Sequence, residues 1–281
     1  MKSVFFKIKH KGIVYFILKM IFSIEGNIGS GKSTFCKYLK DHFTKYYNKP
    51  RDANVLFVDE PVDDWVSIKD SDGNLLEHFY KCPEKYSYCF QMTAYISRLV
   101  NLKKAIKNSK SDDTIIMERS VFSDYNVFAK MLHDSGKIND IEFQSYKMWF
   151  DHFLEDLPTF FNIYIKTDFK NCHERVLRRS RAGESPITEE YLEMCEKYHE
   201  EWLSKKKYII TFDGNKDTTS HPEYLDILKQ MMNYKMNVPE NFNGNDSDNE
   251  YYYEARHSPD RWRKRLLDKT LDECKKRTKK E

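Results

Sequence analysis

Residues 26 to 34, Gly-Asn-Ile-Gly-Ser-Gly-Lys-Ser-Thr, carry the most specific chemistry in the chain. Gly26, Gly31, Lys32 and Ser33 fit G-x-x-x-x-G-K-[ST], with Asn27, Ile28, Gly29 and Ser30 between them and Thr34 behind. Gly26 and Gly31 can take backbone angles closed to residues with a Cβ, so successive N–H groups can curl around a phosphate. Lys32 adds a point charge for the outer phosphates, and the Ser33 hydroxyl suits Mg²⁺. A helix starting at about Lys32 would aim its positive end at the same anion.

Carboxylates and arginines follow at places that could complete a transfer reaction. Glu60, before Pro61, could orient an alcohol and accept its proton, or merely cap a helix. Glu118-Arg119-Ser120 stands where phosphate-loop proteins carry a second Mg²⁺ carboxylate, and Glu118 could serve the metal or share the proton-acceptor role. Arg119 would sit between donor and acceptor. In Arg175-x-x-Arg178-Arg179-x-Arg181-x-x-Glu184, helical spacing gathers Arg175, Arg178 or Arg179, then Arg181 and Ala182, towards one side. Such arginines can neutralise charge spreading over a transferred phosphoryl group, although a run like this is more often a solvated helix face. The stretch Asp213-Gly214-Asn215-Lys216-Asp217, after the last apolar run, is placed to border the donor's adenine. Asn215-Lys216-Asp217 looks like a guanine-reading N-K-x-D, but Thr218 occupies the last acidic position and excludes it.

These groups need a scaffold that brings them to one edge. Five short apolar runs, about 20–25, 54–59, 113–118, 160–166 and 207–212, read as strands buried on both faces. Helical patterns at roughly 32–47, 83–108, 120–156 in two pieces, 169–181 and 188–206 lie between them, and a last one spans 221–235. The alternation predicts an α/β fold with a five-stranded parallel sheet flanked by helices, and ligands at the carboxyl ends of the strands. Those ends carry Glu25-Gly26, Asp59-Glu60, Glu118-Arg119 and Asp213.

The ends of the chain differ in composition. Residues 1–19 form an extension; the first twenty residues hold five lysines and no acid. Its apolar stretch is interrupted by Lys19 and is too short to span a bilayer. A mitochondrial transit segment is the alternative reading, but such segments are usually Arg- and Ser-rich, and this one has no Arg. Residues 237–281 read as a polar linker and a basic tail. A net charge of +3 is too small to argue for nucleic acid, and no membrane partner is expected. Six cysteines without a C-x-x-C pair suit reduced thiols in a cytoplasmic protein.

Taken together, the loop, Glu60-Pro61 with Trp65, Phe90-Gln91, Glu118-Arg119-Ser120 and the arginine run resemble the deoxynucleoside kinase family over about residues 20–235. The resemblance implies a P-loop kinase domain over 20–236 with a helical arginine-rich lid, working as a homodimer with ATP and Mg²⁺ on the 5′-hydroxyl of a deoxyribonucleoside. It gives Glu60 the proton-acceptor role and assigns Arg175, Arg179 and Arg181 to the lid. Glu184 and Tyr80 would hold the sugar 3′-hydroxyl, and Trp65, Phe90, Gln91, Arg98, Asp124 and Phe128 would form the base pocket. Gly183 departs from the family pattern, where a polar or acidic residue is usual. In the resemblance, an Arg and an Asp at 98 and 124 mark deoxycytidine- and purine-preferring members. Thymidine-preferring or broad-specificity members, a nucleoside monophosphate kinase and a catalytically silent relative are the rivals. Glu60 would repel an acceptor phosphate, and a silent relative should have lost Lys32, Glu60 or Arg119.

Overall fold

The computed structural model describes residues 5–10, 13–18, 20–46, 55–110, 113–154, 157, 160–181, 184, 186–206, 209–217, 224, 226 and 228, those up to 20, 44–46 and 154 by backbone alone. Two strands in the extension, β1 (Phe5–His10) and β2 (Ile13–Leu18), pair antiparallel as a hairpin that forms its own sheet. The extension therefore has more regular structure than its composition suggests. The linker and tail at 237–281 lie outside the described residues.

The five apolar runs become β3 (Met20–Glu25), β4 (Val55–Val58), β5 (Thr114–Glu118), β6 (Phe160–Lys166) and β7 (Ile209–Asp213). They pair in parallel in the order β4-β5-β3-β6-β7. Their nearly unbroken apolar character follows from burial on both faces. Phe22 and Ile24 pack towards Phe35 and Leu39 of α1 (Lys32–Tyr46), whereas Ile21 packs with Met117 and with Leu102 of α4 (Pro83–Asn108). From β3 the chain skips a place to β4, returns to β5, and only then crosses to β6 and β7 on the other side. That reversal opens a crevice at the carboxyl end of β3. Pairing of Ile24 with Glu118 and of Glu25 with Tyr164 sets the strand ends level around it.

Two helices escape the sequence reading, α2 (Val62–Ser67) and α3 (Leu75–Lys81). The second had a legible signal. Asn74 accepts from the Glu77 N–H and Glu77 accepts from the Asn74 N–H, a reciprocal cap written as N-x-x-E.

The stretch expected as two helices over 120–156 has finer structure. A continuous helix runs through α5 (Val121–Ser123), a π-helical segment (Asp124–Ala129) and α6 (Lys130–Asp134), followed by α7 (Asp140–Leu154). The arginine helix, α8 (Phe169–Arg179), is shorter than expected: Ser180 turns left-handed at φ 49° and ends it, so Arg181 lies beyond the helix. Thr188 caps α9 (Glu189–Leu203) through the Tyr191 N–H. Of the helix expected over 221–235, the described Tyr224, Asp226 and Leu228 are helical.

Candidate active site

A cavity of about 600 Å³ opens at the crevice. One end of it is the glycine-rich loop between β3 and α1. Gly29 has φ 80°, and a Cβ there would come within 2.4 Å of the Cys172 carbonyl oxygen of α8. Gly26 has φ 148°, and a Cβ would meet the Ile165 carbonyl oxygen at 2.7 Å. The loop thus needs glycine both for its turn and for its close fit under α8. Lys32 is buried and donates to the Asn27 carbonyl at 2.7 Å. Burial first, and Arg119 next, bring its ammonium down to about 8.

Beside the loop the Ser33 hydroxyl donates to Glu118 Oε1 at 2.7 Å. Burial, followed by the charge of Glu60, raises the Glu118 carboxyl. Glu60 is pushed the other way. Burial would raise it, but Arg98, Arg119 and Lys32 outweigh that effect and hold it at about 2. Its Oε1 accepts from Arg98 Nη2 at 2.5 Å and from Arg119 Nε at 3.3 Å. Asp59, its neighbour, instead pairs with Lys40 of α1 on the exposed side. Glu60 and Glu118, which feel each other's charge, are thereby pushed in opposite directions.

Arg119 follows β5 with φ 63°, an uncommon conformation for a residue with a long side chain, which costs on the order of 1 kcal/mol or more. Contacts on both sides hold it there. Its N–H bonds to the Ile24 carbonyl at 3.0 Å, and the Ser120 N–H and hydroxyl bond to buried Glu25 at 3.0 and 2.5 Å. Its guanidinium lies 4.8 Å from the centre of the Phe128 ring.

The far end of the cavity is apolar with a few polar groups. Trp65 comes from α2, Phe79 and Tyr80 from α3, Phe90, Gln91 and Arg98 from α4, and Asp124 and Phe128 from the π-helical segment. Arg98 is buried, lies 5.1 Å from the Trp65 ring centre, and bonds both Glu60 and Asp124. Burial carries the Asp124 carboxyl up to about 6 even with Arg98 against it. Gln91 Oε1 and Asp124 Oδ2 are buried without a hydrogen-bond partner among the described residues. Arg98 and Asp124 are therefore a buried pair in the cavity wall, not an ion pair at the surface.

Over the loop, Arg175 donates to the Ser30 carbonyl at 3.4 Å. Glu184, itself buried, accepts from Arg179 Nε at 3.1 Å and from Arg181 Nη1 at 3.2 Å. Burial and the nearby Glu184 charge raise the Tyr80 phenol. Gly183 lies outside the described residues.

All but three of the residues expected at the site line the cavity. Gly26 shapes the turn, and Asn27 spends its side chain on the Leu192 carbonyl at 2.8 Å and its own loop. Asp213 itself does not line the cavity: its carboxylate bonds the Asn215 N–H and faces Lys216, while Gly214, Lys216 and Asp217 of the same stretch do line it. Leu76, Phe79, Ala94 and Tyr191 also line it and had not been expected, and Arg178 of the arginine run lines it as well. The capping signal at Asn74 would have found the helix that carries Leu76 and Phe79. Ala94 falls between Gln91 and Arg98 at helical spacing.

The glycine-rich loop with Lys32, the Glu60 and Glu118 carboxylates and an apolar pocket with polar edges line one continuous cavity. Comparison with known proteins agrees. The family model described as deoxynucleoside kinase matches residues 22–235. A probable deoxycytidine kinase of fowlpox virus is 38% identical over 204 residues, 69% of this chain and 79% of that protein. Deoxycytidine kinase 2 of Gallus gallus is 34% identical over 206 residues, 69% and 78% of the two chains. The mitochondrial deoxyguanosine kinase of Xenopus laevis is 30% identical over 213 residues, 69% and 77%. Together with the cavity, these matches show that the chain belongs to the deoxynucleoside kinase family.

Proposed function

We propose that this protein transfers the γ-phosphoryl group of ATP to the 5′-hydroxyl of a deoxyribonucleoside, and that it prefers deoxycytidine or a purine deoxynucleoside to thymidine. One observation carries the base preference. Gln91 Oε1 and Asp124 Oδ2 are buried acceptors that await donors in the cavity wall. An exocyclic amine supplies donors, whereas thymine would bring its O4 towards Asp124 with no proton between the oxygens once the carboxyl is ionised, above about pH 6. That mismatch should cost roughly 1–3 kcal/mol, about one to two decades in kcat/KM.

The test is a phosphorylation screen of the four natural deoxynucleosides with ATP and Mg²⁺, in which thymidine should rank below deoxycytidine or a purine. A double change, Arg98→Met with Asp124→Ala, should raise thymidine use and lower deoxycytidine use. Both residues must change, because Asp124→Ala alone leaves Arg98 buried with less of its counter-charge. An unchanged ranking in the double variant would count against the assignment.

In this reading Glu60 aligns the 5′-hydroxyl, Arg119 bridges Glu60 and the phosphate loop, and Glu184 with Tyr80 meets the sugar. Ser33 and Glu118 fit Mg²⁺: two adjacent hard oxygen donors, with phosphate and water oxygens for the remainder, match its ligand habits. When bound, the ion would neutralise charge on the donor's phosphates. Arg175, Arg179 and Arg181 would do the same from above.

The same reading includes a homodimer. Ile141, Met148 and Trp149 of α7 and Val100 of α4 are exposed apolar side chains of the kind an interface covers. Light scattering on the purified protein should give twice the mass of one chain, and Met148→Lys with Trp149→Glu should halve it. The thiols of Cys82 and Cys89 are free and exposed, which suits a reducing compartment such as the cytoplasm. No helix among the described residues is long and apolar enough to cross a membrane.

A further inference from the structure

His199 of α9 is fully buried, and no step assigned so far uses it. Its Nε2 lies 3.3 Å from Arg119 Nη1, and its Nδ1 lies 2.7 Å from the Cys195 carbonyl. These contacts fix the tautomer. Arginine can only donate, so Nε2 must accept, and Nδ1 must then carry the hydrogen that Cys195 receives. A neutral ring is what the surroundings favour, since burial and then Arg119 keep His199 well below the usual histidine range. The ring is also held in plane, stacked with Tyr164 at 6.4 Å and edge-on to Phe128 at 6.0 Å.

The hydrogens of Arg119 can then be followed. Nη1 has two, and it donates to the Gly26 carbonyl at 3.0 Å and to His199. Nε has one, which goes to Glu60. Only Nη2 keeps hydrogens with no such partner among the described residues, and Arg119 lines the cavity. The histidine therefore selects which edge of the guanidinium is used by the protein and which edge is left for substrate oxygens. The backbone strain at Arg119 makes this anchor more telling, because a side chain leaving a left-handed residue has few other ways to reach the same place.

We propose that His199 is a positioning residue for the phosphoryl transfer: by accepting from Nη1 it holds Arg119 with its Nη2 edge towards the reacting oxygens. The inference rests on the kinase reading given above. Small misplacements of a group that must meet the transferring oxygens can lower turnover about a hundredfold.

His199→Phe and His199→Leu remove the acceptor while filling the space. His199→Gln returns an acceptor oxygen for Arg119 and a donor N–H for Cys195. Each variant is checked by thermal melting and assayed with ATP, Mg²⁺ and the nucleoside that the parent uses best. In the Phe and Leu variants kcat should fall about 10- to 100-fold, with KM for both substrates within about threefold of the parent. The Gln variant should recover to within about fivefold. In an Arg119→Ala background, His199→Phe should lower kcat no further.

A folded Phe or Leu variant with the parent's kcat would overturn the proposal. So would a Gln variant as slow as Phe, or losses that multiply in the double variant. If neither Phe nor Leu folds, His199 belongs to the core alone and the proposal fails as well. Turnover by the parent protein reports separately on the kinase reading.

Discussion

Lys32→Ala is expected to lower turnover by about 10³-fold or more while leaving the fold intact, because it removes a charge aimed at the outer phosphates of the donor. The expectation for stability is less usual. A buried ammonium brought down to about 8 is one that the native state resists charging. At pH 7 the alanine variant should therefore melt no lower than the parent, apart from the lost bond to Asn27. Between about pH 8 and 10 the unfolded chain keeps a proton that the native one has released, so the parent gains stability relative to the variant as pH rises. Melting curves at pH 7 and pH 10 should show the parent's Tm rising relative to that of the variant. Normal turnover in the variant would remove the loop from the mechanism.

Glu60→Gln should cut kcat by a factor on the order of 10² to 10⁴ and leave nucleoside binding largely in place. With its carboxyl held at about 2, Glu60 is anionic across every practical assay pH, so its own protonation should not shape the acid limb of kcat/KM. The depressed value also has a sign for stability: the contribution is fully present above the ordinary carboxylate range and is lost as pH falls through about 2. In the proposed reading Glu60 orients the hydroxyl, fixes Arg98 and Arg119, and takes the proton late in a loose transition state. An effect on KM alone, with turnover kept, would make Glu60 a sugar ligand only.

Much of this site was legible because its parts follow strands buried on both faces. Phe22, Ile24, Ile115 and Ile163 announce the sheet, and the residues just past such runs must gather at one edge. The arginine run was legible as a group but not in its ending, since nothing in Arg179-Ser180-Arg181 states that the serine turns left-handed. Asp213 stands at its expected strand end with its carboxylate on Asn215 and Lys216, because a strand end gives a residue's position and not its side chain's direction. His199 was missed for a different reason. A histidine among Cys195, Trp202 and Leu203 reads as ordinary helix core, and its partner is eighty positions earlier in the chain. The α2 and α3 helices are too short for a period to stand out, although the Asn74 cap was present in the letters.

The π-helical segment over Asp124–Ala129 has a consequence for how this pocket can change over generations. Such a segment holds one residue more than an α-helix would need for the same turns. Deleting a single residue there would let the stretch relax to α-helix while the turns beyond it keep their facing. A loss between Asp124 and Phe128 would shorten their spacing from four residues to three, so both would still face the cavity but from altered places. This wall of the cavity is thus open to inheritance by length as well as by letter: one lost codon could reshape it while every strand and the glycine-rich loop stayed as they are.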